Sequence, residues 1–120
     1  MKWFSLGSFF MFIAVALGAF GAHALKNRLS MELLAVYETG VRYQVYHALG
    51  LFIVGILAER QISTLVPLAG RLFTAGIFLF SGSLYAYVFS GQRWFGMITP
   101  VGGVAFLVGW ALLGVAAFKK

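Results

Sequence analysis

The chain has 120 residues, 62% of them hydrophobic and 10% charged; 9 Lys and Arg against 3 acids give a formal net charge of +6, and there is no cysteine. Soluble domains run at about half apolar and a quarter charged, so the surplus apolar surface must face lipid. The missing cysteine excludes disulfides, thiolate zinc sites, iron–sulfur ligation and a cysteine nucleophile, and cations standing at the ends of apolar runs fit anionic lipid headgroups rather than nucleic acid.

A helix that crosses a bilayer needs about 20 apolar residues, and four stretches qualify. The first span is 3–25. It ends in GAFGAHAL, Gly18 to Leu25, which puts His23 where a helix leaves the bilayer. Lys2, the apolar run and Ala22-His23-Ala24 also look like a signal peptide with its cleavage site, but the run is longer than the usual apolar region of a signal. Ala14, Gly18 and Ala22 recur every four residues, a seam that lets backbones approach closely in lipid.

The connection Lys26 to Gly40 contains LSMELLAVYETG, with Leu29, Leu33, Val36 and Tyr37 at helical spacing. Ser30 is placed to cap a helix there and Gly40 to end it. The pattern predicts a short amphipathic helix lying in the headgroup region; the alternative is a plain polar loop.

The second span is 44–58, and the residues at its entrance read RYQVYH, with Arg42, Tyr43, Gln44 and His47. Tyr43 and His47 are four apart on one helical face and Gln44 is three before His47, so hydroxyl and amide are both placed to orient the imidazole. After the short connection 59–64 comes the third span, 65–89, with Pro67 in its first turn, where a missing N–H costs least. Arg71 lies about one turn inside, where it pairs with Glu59 or snorkels. The span finishes FSGSLYAY, with Ser81, Ser83 and Tyr85. The fourth span, 97–118, opens ITPVGG with Thr99 and Pro100, and Gly102, Ala105 and Gly109 form a second small-residue seam.

Short connections force antiparallel neighbours. The expected fold is all-α: an integral membrane four-helix antiparallel bundle, one membrane domain over 1–120, with the short amphipathic helix between spans one and two. Lys2, Arg60, Arg71, Lys119 and Lys120 fall on one side of the membrane and Lys26, Arg28, Arg42 and Arg93 on the other. Five against four leans towards both termini being cytoplasmic.

This arrangement collects polar and glycine-rich helix ends on one side, and the candidate binding residues are His23, Arg42, Tyr43, Gln44, His47, Ser81, Ser83, Tyr85 and Thr99. An ionisable group inside a span is a functional-site hypothesis; the competing reading is that His and Gln hydrogen-bond the helices together. Two histidines leave a zinc site short of ligands unless Glu32 or Glu38 joins, and nothing demands paired haem ligation, so no metal or cofactor is expected. No Ser-His-Asp set or pair of carboxylates assigns a catalytic residue, and an enzyme using His23 or His47 as general base is the weakest reading. A small oligomeric transporter or channel is the alternative, although no acid lies within a span to exchange a cation for protons. The leading reading is a non-catalytic membrane protein that binds a lipid, a membrane-protein partner or a second copy of itself at these helix ends.

Four ordered segments carry a family likeness: GAFGAHAL at 18–25, YQVYHALGL at 43–51, FSGSLYAY at 80–87 and ITPVGGVAFLVGW at 98–110. Through them the chain resembles the YgdD/YwdK-type family of small bacterial inner-membrane proteins of unknown function, which has a small eukaryotic transmembrane relative. The resemblance implies a multi-span inner-membrane protein of this size and supplies no catalytic residues.

Overall fold

A computed structural model describes residues 1–119. Helix α1, Lys2–Phe20, continues through a π-helical turn at Gly21–Leu25. Helix α2 is Met31–Glu59, and α3, Leu65–Gly76, runs through a second π turn, Ile77–Ser81, into α4, Gly82–Ser90. A 3₁₀ turn at Arg93–Met97 leads into α5, Thr99–Lys119. These make four rods, Lys2–Leu25, Met31–Glu59, Leu65–Ser90 and Arg93–Lys119, each long and apolar enough to cross a membrane. No strand occurs among the described residues. Lys120, counted above with the N-terminal side, lies outside them.

The segment expected to form a separate interfacial helix is instead the start of α2, which runs unbroken for 29 residues. Ser30 caps it, its Oγ accepting the Leu33 N–H at 3.1 Å. Gly40 does not end it. A Cβ at Gly40 would stand 2.8 Å from Cε1 of Tyr85, so this glycine makes room for a ring on the neighbouring rod. At 1.5 Å per residue α2 is about 43 Å long, more than the hydrocarbon core of about 30 Å. Its first turns therefore stand among the headgroups, with Glu32 and Glu38 exposed.

The rods pack because each keeps one stripe of small and apolar residues inward. The main core joins Phe10 of α1, Ala48, Leu51 and Val54 of α2, Phe73 of α3 and Phe106 of α5. A second cluster of Leu25, Tyr37 and Val88 closes the polar end. Phe9, Phe12 and Val15 of α1 and Val101, Val104 and Leu107 of α5 remain exposed, as lipid-facing surface should. Gly91, at φ 72, ends the third rod in the left-handed conformation that favours glycine.

The Glu59–Arg71 pair does not form. Glu59 instead accepts the Met1 ammonium at 2.9 Å, and this is the one ion pair among the described residues. The start of α1 and the end of α2 are antiparallel neighbours, close enough that a Cβ on Gly55 would lie 2.8 Å from the Phe4 nitrogen. Arg71 is exposed.

Candidate functional site

Most of the polar residues at the crowded end are spent on holding rods together. Gln44 is 2% exposed. Its Nε2 donates to the Phe10 carbonyl at 2.8 Å, and its Oε1 accepts the Tyr85 hydroxyl at 2.7 Å. The Tyr85 ring leans on that of Tyr37 with centroids 5.7 Å apart, and the Tyr37 hydroxyl donates to the Leu17 carbonyl at 2.5 Å. One chain of contacts thus ties α1, α2 and α4. Ser81, the last residue of the second π turn, donates to the Gly40 carbonyl at 2.7 Å. Ser83 Oγ donates to the Phe80 carbonyl at 2.9 Å and lies 2.5 Å from Thr99 Oγ1, joining α4 to α5. A hydroxyl has one proton, so Thr99 is the donor in that contact.

His47 has a different environment from the one its spacing suggests. Neither the Tyr43 hydroxyl nor the Gln44 amide orients the ring: Gln44 turns to α1 and α4, and Tyr43 contributes its backbone carbonyl, 2.7 Å from Nδ1. The other nitrogen, Nε2, accepts the indole N–H of Trp110 at 3.0 Å. An acceptor nitrogen bears no proton, so Nδ1–H donates to the carbonyl and the tautomer is fixed. The imidazole stacks on Phe106, centroids 3.5 Å apart, and meets the Phe73 ring edge-on at 5.3 Å. Both ring nitrogens are therefore occupied by hydrogen bonds within the protein.

No buried side-chain nitrogen or oxygen among the described residues lacks a hydrogen-bond partner. His23 lies exposed in the first π turn, away from His47, and Arg42 is exposed on α2. No three His, Asp or Glu side chains converge among the described residues. Several openings remain at this end, among them one of about 200 Å³ beside Gln44 and Tyr85 and one of about 280 Å³ beside Ser83. A groove of about 500 Å³ between α2 and α5 is walled by the rings of Tyr43, Tyr46, His47, Phe80, Phe106 and Trp110. A smaller one, about 260 Å³, lies between the end of α1 and the start of α2 beside Glu38 and Arg42.

Of the small-residue seams, Ala14 is buried, a Cβ on Gly18 would lie 3.6 Å from Val41, and Ala22 is exposed. Gly102 and Gly109 are buried against the Phe80 backbone and the Phe73 ring, with Ala105 half-buried. Sequence reasoning missed the bond from Trp110 to His47. The available signal was an indole N–H deep in an apolar helix, which has no water to bond and must find an acceptor.

A family model described as "Protein of unknown function (DUF423)" matches residues 17–103, a range holding three of the four motifs and the start of the fourth. The chain is 49% identical to the UPF0382 membrane protein YwdK of Bacillus subtilis, the match covering 95% of this chain and 94% of that one. It is 46% identical to the UPF0382 membrane protein SAB0533 of Staphylococcus aureus, over 95% and 93% of the two chains. It is 42% identical to the UPF0382 inner membrane protein YgdD of Escherichia coli K12, over 90% and 82%. No solved structure matches.

Proposed function

The chain belongs to this DUF423 family of membrane proteins of unknown function, and from that premise we propose that it is a non-catalytic inner-membrane protein which binds a lipid or a membrane-protein partner at its polar, glycine-rich helix ends. The observation that carries this reading is the complete internal pairing of the buried polar side chains. A hydrolase or transferase keeps a nucleophile or base free to meet its substrate; here the polar atoms of His47, Gln44, Ser81, Ser83 and Tyr85 are taken up in hydrogen bonds within the protein, even where the side chain borders a groove. The openings that remain are lipid-side grooves, suited to a molecule that lies within the bilayer. In this reading both termini are cytoplasmic, so the polar end faces away from the cytoplasm, supported by the five-to-four division of cations.

Native mass spectrometry of the protein released gently from its own membrane tests the proposal. The expected result is a defined added mass, lipid or protein, that is weakened by substitutions on the groove walls. A bare protein from several gentle extractions, or a turnover of added substrate that disappears in His47→Ala, overturns it.

A further inference from the structure

We propose that the groove between α1 and α2 is a binding site for a phospholipid with a primary-amine headgroup, its ammonium on Glu38 and its phosphate on Arg42. This inference rests on the lipid reading above and names its chemistry.

The groove is open because its floor lacks side chains: Gly18 and Ala22 of α1 leave a hollow of about 260 Å³ against Val41. Glu38 and Arg42 both line it, four residues apart on α2. Opposite charges at that spacing commonly pair across a helix turn. These two do not, and neither forms an ion pair with any other described residue. Both are exposed and line the same hollow.

Their order along the membrane normal carries the identity of the ligand. α2 enters the bilayer from Met31, so Glu38 is the outer group and Arg42 lies about 6 Å deeper along the helix. An ethanolamine phospholipid has the same order, ammonium outermost and phosphate nearer the glycerol. A guanidinium presents a planar fork of donors that matches two phosphate oxygens, and a carboxylate accepts hydrogen bonds from a primary ammonium. A choline headgroup, with no N–H, offers Glu38 nothing to accept. A glycerol headgroup brings no positive charge to it.

The hydrocarbon has a path as well. Met11, Val15, Gly18 and Ala22 follow one another at three- and four-residue steps, so they share one face of α1. Below the headgroup hollow on this face lies an apolar pocket of about 420 Å³ lined by Met11, Phe12, Val15 and, from α2, Phe52. Its centre is roughly two turns of α1, or about 12 Å, from the charged hollow, a separation that one acyl chain spans.

The test is lipid titration of delipidated full-length protein by native mass spectrometry, with phosphatidylethanolamine, phosphatidylcholine and phosphatidylglycerol of identical chains. Phosphatidylethanolamine should be retained about tenfold better than the other two, the scale of one charge-assisted hydrogen bond. Glu38→Gln should erase its advantage over phosphatidylcholine, Arg42→Gln should lower retention of all three, and Ala22→Leu should exclude lipid while keeping both charges. Lys26→Gln removes a nearby exposed cation outside the groove and should change nothing. Circular dichroism of each variant in the same detergent confirms that it is folded. Equal retention of the three lipids overturns the proposal. So does a preference that survives both Glu38→Gln and Arg42→Gln, or an effect of Lys26→Gln as large as that of Arg42→Gln. If the proposal fails, an added mass still carried from the native membrane would leave the broader reading standing, and a bare protein would remove both.

Discussion

At the scale of single residues, the hydrogen bonds differ from those of a soluble core because no water stands ready to replace a lost partner. Trp110→Phe keeps an aromatic ring against Phe73 but leaves His47 Nε2 without a donor. The expected cost is about 1 kcal/mol, the usual scale for a polar contact between membrane helices. His47→Ala also removes the ring stacked on Phe106 and should cost more, about 2–4 kcal/mol for a large-to-small change in a packed site. Reversible unfolding in mixed detergent micelles measures both, and a Trp110→Phe loss as large as that of His47→Ala would show that packing is not the major part. Gln44 and Tyr85 allow a cleaner separation. In a double-mutant cycle of Gln44→Leu and Tyr85→Phe, the two losses should fall short of additivity by about 0.5–2 kcal/mol; strict additivity would mean that their 2.7 Å bond contributes nothing. The sequence makes His47 and Gln44 conspicuous, since polar side chains are rare in apolar spans. It does not reveal their partners, because five of the acceptors at this end are the carbonyls of Phe10, Leu17, Gly40, Tyr43 and Phe80. Every residue has a carbonyl, so no residue type announces one.

At the scale of elements, apolar run length is enough to find four rods, and Pro67 and Pro100 stand in the first turns of α3 and α5. It is not enough to find where α2 begins. Gly40 looks like a helix end when read locally, but a glycine inside a membrane helix can equally mark close contact with a neighbour, and only the position of Tyr85 decides. The π turns at Gly21–Leu25 and Ile77–Ser81 are silent in the sequence for the same reason: they follow from packing, not from a breaker residue. Gly102 gives the sharpest test of this dependence on context. A Cβ there would run into the backbone of Phe80, whereas one on Gly114, in the same helix, meets nothing within 4 Å. Gly114→Ala should be neutral or stabilising by up to about 1 kcal/mol through helix propensity. Gly102→Ala should destabilise by several-fold more than that gain, since backbone cannot move aside as a side chain can. Equal effects of the two substitutions in the same unfolding measurement would mean that α5 does not press its Gly102 face on the third rod.

At the scale of the whole molecule, the lipid groove, the crowded polar end and the division of charge all depend on one topology, which the absence of cysteine makes simple to examine. A single cysteine can be introduced at Asn27, Thr64 or Gln92, all exposed and all in connections between rods, without removing any native thiol. Four antiparallel rods require Asn27→Cys and Gln92→Cys to behave alike and Thr64→Cys to behave oppositely towards a membrane-impermeant maleimide on intact cells. With cytoplasmic termini, the first two label from outside and the third only after permeabilisation. Unlike behaviour at 27 and 92 would break the up-down-up-down order itself. Reversed labelling would preserve the fold and invert it in the membrane. The direction also fixes which leaflet supplies the ligand of the α1–α2 groove, because Glu38 lies on the same side as Asn27 and Gln92. Labelling from outside therefore predicts that the amine phospholipid is drawn from the outer leaflet, and an amine-reactive, membrane-impermeant reagent applied to intact cells should then modify the lipid that later co-purifies with the protein.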